Sequence, residues 1–133
     1  MDTTTIVERY LAIWNETDAG RRRELIAATW TEACRYVDPV FAAAGHDEIE
    51  SMTAGFQQQF PGLTFVHTGE IESHHDRIRY TWDLVDATGE RQAAGTDVAV
   101  IASDGRLADV TGFFDVAPVL PAAADHAQEG VTA

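Results

Sequence analysis

The apolar residues of the chain change their spacing at Pro61-Gly62, and this change limits the fold more than any other feature. Before this pair they recur every three to four residues, as in amphipathic helices. After it they alternate with polar residues, as in half-buried strands. A proline-glycine pair ends a helix and begins a turn. The sequence therefore predicts helices followed by a sheet, which is an α+β fold.

Three helices and one short strand are predicted in the first half of the chain. The first helix follows Thr5, which with Glu8 matches a capping box. The second spans about 19–29, with Asp18 as its N-cap and Arg21, Arg22 and Arg23 facing water. The strand covers 34–37 and ends at Asp38-Pro39, because proline disfavours helix at the residue before it. A third helix covers 46–60, after a loop over 40–45.

Four strands are predicted in the second half, over 63–73, 78–84, 91–102 and 107–115. Short polar turns join them, and Ser103-Asp104-Gly105 is a hairpin signal. We expect a cone-shaped, curved antiparallel sheet packed against the three helices, in the order α-α-β-α-β-β-β-β. Residues 1–115 are predicted to form a single domain, and 116–133 an Ala/Pro-rich tail that is mobile or loosely docked.

Composition excludes several classes of function. The formal net charge of −13 disfavours binding to nucleic acid or anionic membranes. All basic residues are arginine, so a lysine Schiff base with a carbonyl cofactor is excluded. No signal peptide or membrane-spanning run is recognised, which predicts a cytoplasmic protein. No spacing of His, Cys and acidic residues indicates a metal site, and no nucleotide-binding motif suggests a cofactor.

Two aspartates, Asp38 and Asp97, lie within apolar strand segments. Burial raises the pKa of a carboxyl group, and two neighbouring carboxyl groups resist ionising together. Such a pair supplies a base and a hydrogen-bond donor in one pocket, which suits enolisation, a double-bond shift or an aldol-type cyclisation. The structural alternatives are a turn cap for Asp38 and a backbone hydrogen bond for Asp97.

The segments Arg9-Tyr10-Leu11, Tyr36-Val37-Asp38-Pro39, 45–49 and 97–107 resemble the nuclear transport factor 2-like superfamily, in particular its SnoaL-like polyketide cyclases and ketosteroid isomerases. The resemblance covers about 7–114. It implies that Asp38 is the general base and that Tyr10 and a protonated Asp97 stabilise an oxyanion, a pairing for which ketosteroid isomerase is a known example. It also implies a homodimer formed through the outer face of the sheet, where Val98, Val100 and Phe113 would lie.

The sequence departs from the isomerase pattern in one place, because the segment between Tyr10 and Asp38 is about four residues longer, so Trp14 is an alternative to Tyr10. The cyclases instead use an aspartate on a late strand, for which Asp109 and Asp115 are candidates, although their alternation places them away from the pocket. The predicted substrate-binding residues are mostly aromatic: Trp14, Tyr36, Phe41, Phe56, His67, Tyr80, Trp82, Val110 and Phe114.

Three functions therefore stay open. The first is a cofactor-free isomerase or cyclase acting on a small apolar ketone, polyketide-like or steroid-like. The second is a binding or dimeric interaction module, which predicts a filled pocket and an ion pair between Asp38 and Arg35 or Arg79. The third is an epoxide hydrolase or dehydratase, which needs polar residues such as Gln58, His67 or Tyr80 to fix a water molecule.

Overall fold

The computed structural model describes residues 2–116, which form three helices and six strands. In chain order the elements are α1 (Thr3–Asn15), α2 (Ala19–Thr29), β1 (Trp30–Val37), β2 (Ala42–Ala44), α3 (Gly45–Gln59), β3 (Thr64–His74), β4 (Arg77–Val85), β5 (Arg91–Ile101) and β6 (Leu107–Val116). Every predicted helix and strand is present, so the predicted α+β fold is confirmed. The predicted tail lies outside the described residues, except that Val116 ends β6.

Helix α1 begins earlier than predicted, because Asp2 rather than Thr5 is its N-cap. The Asp2 Oδ1 atom accepts a hydrogen bond of 2.8 Å from the Thr5 amide. Aspartate is at least as good an N-cap as threonine, so the earlier cap extends the helix by a turn. The predicted apolar face is buried, and it directs Tyr10 and Trp14 toward the sheet.

The six strands form one sheet in the order β2-β1-β6-β5-β4-β3. Strands β3 to β6 make the predicted antiparallel meander. Strand β1 joins β6 in parallel, and β2 pairs with β1 at the edge, so the sheet is mixed. The segment 42–44 was predicted as part of a loop of small residues, but pairing of its backbone with β1 makes it a strand. The parallel pairing places the end of β1, just before Asp38, beside the middle of β6.

The sheet is open and curved, and its inner face packs against α1 and α3. Register shifts interrupt the β3–β4, β4–β5 and β5–β6 pairs, and such irregularities bend strands. Asn15, at the end of α1, holds the start of β3 by exchanging hydrogen bonds of 2.9 and 2.8 Å with the backbone of Phe65.

Arg22 is buried, so the prediction that all three arginines of α2 face water is wrong for this residue. Its guanidinium pairs with Glu50 of α3 at 2.8 Å and donates to the backbone carbonyl of Glu16 at 2.7 Å. Gln57 of α3 donates to the carbonyls of Trp14 and Glu16 at 2.7 and 2.8 Å. These bonds satisfy the free carbonyls at the end of α1, which explains why a charged residue is tolerated there.

Candidate active site

A cavity of about 320 Å³ lies between the inner face of the sheet and helices α1 and α3. Among the predicted site residues, its wall includes Tyr10, Trp14, Tyr36, Asp38, Phe41, Phe56, Trp82, Asp97 and Phe114. It also includes residues that were not predicted as site residues: Leu11, Val40, Gln59, Phe60, Phe65, Leu84 and Ala93. The wall is therefore apolar and largely aromatic, and Asp38 and Asp97 are the carboxylates that the described residues contribute to it.

Asp38 closes the turn that follows β1. Its Oδ1 atom accepts hydrogen bonds from the backbone amides of Val40 and Phe41 at 2.8 and 2.7 Å. Its Oδ2 atom accepts a hydrogen bond of 2.5 Å from the Tyr36 hydroxyl. Burial raises the pKa of Asp38, and the hydrogen bonds from Tyr36, Phe41 and Val40 oppose that rise. Asp38 therefore both caps the turn and forms part of the cavity wall.

Asp97 lies in the middle of β5 and is 2% exposed. Its Oδ1 atom accepts a hydrogen bond of 3.1 Å from the indole nitrogen of Trp82 on the neighbouring strand β4. Burial raises the pKa of Asp97 to about 7, against the lowering effect of the Trp82 hydrogen bond, and the nearby Asp38 charge adds to the rise. Near neutral pH this group is therefore present in both the protonated and the ionised form.

Glycines on β5 and β6 allow the two acids to approach each other. A Cβ atom on Gly112 would lie 2.8 Å from Asp97 Oδ1, 3.3 Å from Asp38 Cβ and 3.6 Å from the Tyr36 hydroxyl oxygen. Groups from β1, its following turn and β5 therefore surround a single point above Gly112. A Cβ atom on Gly95 would lie 2.2 Å from the Trp82 ring, so only glycine lets that indole lie against β5 and reach Asp97.

Tyr10 and Tyr36 are both buried on the cavity wall. Burial, together with the charges of Asp97 and Asp38, raises the pKa of Tyr10 well above its ordinary value. Burial also raises the pKa of Tyr36 well above its ordinary value, with further contributions from Tyr10, Asp38 and Asp97. Both phenols therefore keep their protons at physiological pH and can act as hydrogen-bond donors.

Three predicted binding residues lie away from the cavity wall. Val110 is fully buried in the core and pairs across the sheet with Tyr36. Tyr80 is 1% exposed and packs edge-on against Tyr10, behind the wall. The Nε2 atom of His67 is buried and has no hydrogen-bond partner within residues 2–116. Alternation gave the correct face of the sheet for these residues, but not their distance from the cavity.

The acidic residues of the late strand, Asp109 and Asp115, are also absent from the wall. Asp115 is exposed and accepts a hydrogen bond of 2.6 Å from Thr96. Asp109 is approached by the Thr111 hydroxyl at 3.5 Å on the same face of β6. Alternation along β6 places both on the side opposite to Gly112 and Phe114. Of the candidate acids, the cavity therefore brings together Asp38 and Asp97.

The paired acids of the cavity are suited to proton transfer. Asp38 has a carboxylate that can accept a proton, while Asp97 and Tyr10 can donate hydrogen bonds to an oxygen that gains charge. No arginine or histidine of the described chain lines the cavity, so its wall offers no positively charged partner for a substrate anion. No group of three or more His, Cys, Asp or Glu side chains within residues 2–116 is arranged to hold a metal ion.

A family model for the SnoaL-like domain matches residues 7–110. The chain belongs to the SnoaL-like family. The resemblance to this branch of the nuclear transport factor 2-like superfamily, drawn from the sequence, is therefore confirmed. No curated protein matches the chain. No helix within the described residues is long and apolar enough to cross a membrane.

Solved structures of several relatives share the fold. A proposed isomerase of the SnoaL-like family from Agrobacterium tumefaciens is 41% identical, with a TM-score of 0.81, over 84% of this chain and 96% of that one. A proposed SnoaL-like polyketide cyclase from Jannaschia sp. is 20% identical, with a TM-score of 0.62, over 84% and 86%. A Catenulispora acidiphila protein with a ketosteroid isomerase-like fold, solved with trimethylamine, is 12% identical, with a TM-score of 0.71, over 92% and 95%. The last two likenesses show the fold alone.

Proposed function

We propose that this protein is a cofactor-free acid/base enzyme that isomerises or cyclises a small, largely apolar ketone, polyketide-like or steroid-like. Asp38 removes a proton next to the carbonyl group. Asp97 and Tyr10 donate hydrogen bonds to the carbonyl oxygen as it gains negative charge. The Agrobacterium relative, at 41% identity and described as a proposed isomerase, is consistent with this reaction class.

The observation that carries the proposal is the meeting of two carboxyl groups of different environment in one apolar cavity. Asp38 keeps hydrogen bonds from two backbone amides and a phenol, which favour its ionised form. Burial raises the pKa of Asp97 to about 7, although the indole of Trp82 and the hydroxyls of Tyr80 and Tyr10 oppose that rise. When the environments of two neighbouring acids give them different pKa values, the acid that ionises more readily acts as the base. The other acid keeps its proton and acts as a hydrogen-bond donor.

The cavity also limits the substrate. Its volume of about 320 Å³ falls at the lower end of the usual range for small-molecule pockets, roughly 300–1,000 Å³. Aromatic side chains such as Trp14, Phe56 and Phe65 provide flat apolar surfaces for a ring system. The wall lacks basic side chains within the described part of the chain, so a neutral ketone suits it better than a carboxylate or phosphate.

The test is exchange of α-protons for deuterium in a panel of apolar mono-, bi- and tetracyclic ketones, followed by NMR in deuterated buffer. We expect Asp38→Asn to slow enzymatic exchange by roughly 10²–10⁴-fold, which is the usual contribution of a general base. The asparagine carbonyl can still accept the amides of Val40 and Phe41, so the turn is kept. Asp115→Asn, the same change at an exposed position, is the matched control and should exchange at the wild-type rate.

Two outcomes would contradict the proposal. If Asp38→Asn keeps activity within about tenfold of wild type, Asp38 is not the base. If the wild-type protein accelerates exchange in no ketone of the panel, the binding-module function gains support. The binding-module function also predicts an ion pair between Asp38 and Arg35 or Arg79. In the structure Asp38 instead accepts a hydrogen bond from Tyr36, and Arg79 pairs with Glu72.

The hydrolase or dehydratase function rests on residues that would hold a water molecule. Its predicted candidates, Gln58, His67 and Tyr80, are not on the cavity wall. Gln59 is on the wall but is exposed, which favours a place at the cavity mouth over one beside the two acids. We therefore keep isomerisation or cyclisation as the proposed reaction.

A homodimer formed through the outer face of the sheet is part of the proposal. Phe113 on β6 is 57% exposed, although it is a large apolar residue. Val98 and Val100 of β5 lie on the same face and remain partly exposed. An exposed aromatic residue among partly exposed valines is typical of a protein–protein contact.

A further inference from the structure

The carboxylate of Asp38 has three of its lone pairs occupied by hydrogen bonds. A carboxylate offers about four acceptor positions, two on each oxygen. Both positions on Oδ1 are taken by the amides of Val40 and Phe41. One position on Oδ2 is taken by the Tyr36 hydroxyl at 2.5 Å. No other donor among residues 2–116 bonds to Oδ2, so its remaining lone pair is available to accept a proton from a bound molecule.

Tyr36 is well placed to control that lone pair. It lies two residues before Asp38 on β1, so the two side chains project to the same face of the sheet. Its ring packs against Trp14 with centroids 5.8 Å apart and is 6% exposed, which fixes the direction of the hydroxyl. A phenol that donates to a carboxylate makes a charge-assisted hydrogen bond, which favours the charged form of the acid.

We propose that Tyr36 is a positioning residue that holds the Asp38 carboxylate charged and turns the free lone pair of Oδ2 toward the cavity. This inference rests on the proposed function. In the proton-transfer step, the substrate C–H bond breaks and its electron pair stays on the substrate as an enolate. An O–H bond forms at Oδ2 of Asp38, and the same proton is later returned to the substrate. Tyr36 keeps its own proton throughout.

The groups around the pair are consistent with this role. The titratable side chains that face it are Tyr10 from α1, Asp97 from β5 and, behind them, Tyr80 from β4. The described wall has no basic side chain to compensate the Asp38 charge, so hydrogen bonds must stabilise it. Burial and neighbouring charges hold the pKa of Tyr36 well above its ordinary value, so this phenol donates a hydrogen bond without ionising.

The test is to follow the titration of Asp38 in the ligand-free, full-length protein by NMR of ¹³Cγ-labelled aspartate. Asp38→Asn identifies the Asp38 signal by its loss. In Tyr36→Phe we expect the titration midpoint to rise by about one pH unit or more, because a hydrogen bond that favours the charged form is removed. Tyr80→Phe is the matched control, since it removes a similarly buried hydroxyl that interacts with Asp97 and Tyr10 and not directly with Asp38. It should leave the midpoint of Asp38 unchanged.

A midpoint in Tyr36→Phe that rises by less than about half a unit, or falls, would overturn the proposal. If Tyr36→Phe does not fold, 3-fluorotyrosine incorporated at position 36 replaces it. That stronger donor should lower the Asp38 midpoint, and an unchanged midpoint would again overturn the proposal. These titrations need no substrate. Failure of the proposed function, read from deuterium exchange in Asp38→Asn, is therefore distinguishable from failure of the role of Tyr36.

Discussion

Replacing Asp97 with asparagine should stabilise the folded protein above neutral pH, and the gain should shrink as the pH falls. Burial raises the pKa of Asp97 from its ordinary 3.8 to about 7. Between these values the folded protein binds a proton that the unfolded chain has released. The wild-type stability contributed by this group is therefore complete below about pH 4, falls as the pH rises toward 7, and is constant above that.

The size of the effect follows from the width of this window. One pKa unit corresponds to 1.36 kcal/mol, so the free energy of unfolding of the wild-type protein should lose on the order of 2.5 kcal/mol from this group between pH 5 and pH 8. Asparagine carries no charge at either pH. Its carbonyl oxygen can still accept the Trp82 hydrogen bond, so the change removes the ionisation more than the packing.

Urea denaturation of both proteins at pH 5 and pH 8 measures the difference. Other titrating groups affect the stability of both proteins equally. The informative quantity is therefore the difference in free energy of unfolding between Asp97→Asn and wild type, which should grow with pH. Asp115→Asn, at an exposed site, controls for the loss of one acidic charge. If this difference in free energy of unfolding changes by less than about 0.5 kcal/mol between pH 5 and pH 8, the idea that Asp97 is a poorly hydrated acid is refuted.

Two further changes test the surroundings of the acids and the outer face of the sheet. Gly112→Ala should cost about 1–3 kcal/mol in urea denaturation and slow ketone exchange, because its Cβ would lie 2.8 Å from Asp97 Oδ1. Gly55→Ala on α3 is its control, since that Cβ meets nothing within 4 Å and alanine favours helix, so unchanged or higher stability is expected. Phe113→Asp should shift the mass measured by light scattering from dimer to monomer; a wild-type monomer would contradict the proposed dimer.

Local patterns in the sequence were sufficient to predict the three helices and five of the six strands of the described fold. The switch of apolar spacing at Pro61-Gly62 separates α3 from the meander of β3 to β6. Equal parity placed Tyr36 and Asp38 on one face, where they share a hydrogen bond. Asp97 could be recognised as buried because its strand neighbours are apolar.

Features that depend on residues distant in the sequence were not predictable in this way. The parallel pairing of β1 with β6 joins segments about 70 residues apart, and no periodicity records it. From its local sequence Arg22 is predicted to be exposed to solvent. It is buried because Glu50 and the end of α1, which are distant in the sequence, contact its guanidinium. Parity assigned Phe65, His67 and Tyr80 equally to the inner face, yet only Phe65 reaches the cavity, because sheet curvature decides the depth.

The close fit around Gly95 and Gly112 has a consequence for altering substrate choice. Neither position tolerates even a methyl group without moving a ring or an acid. A mutant library should therefore leave Gly95 on β5 and Gly112 on β6 unchanged. Diversity belongs at Phe41, Gln59 and Phe60 of the cavity wall, whose side chains are partly or fully exposed.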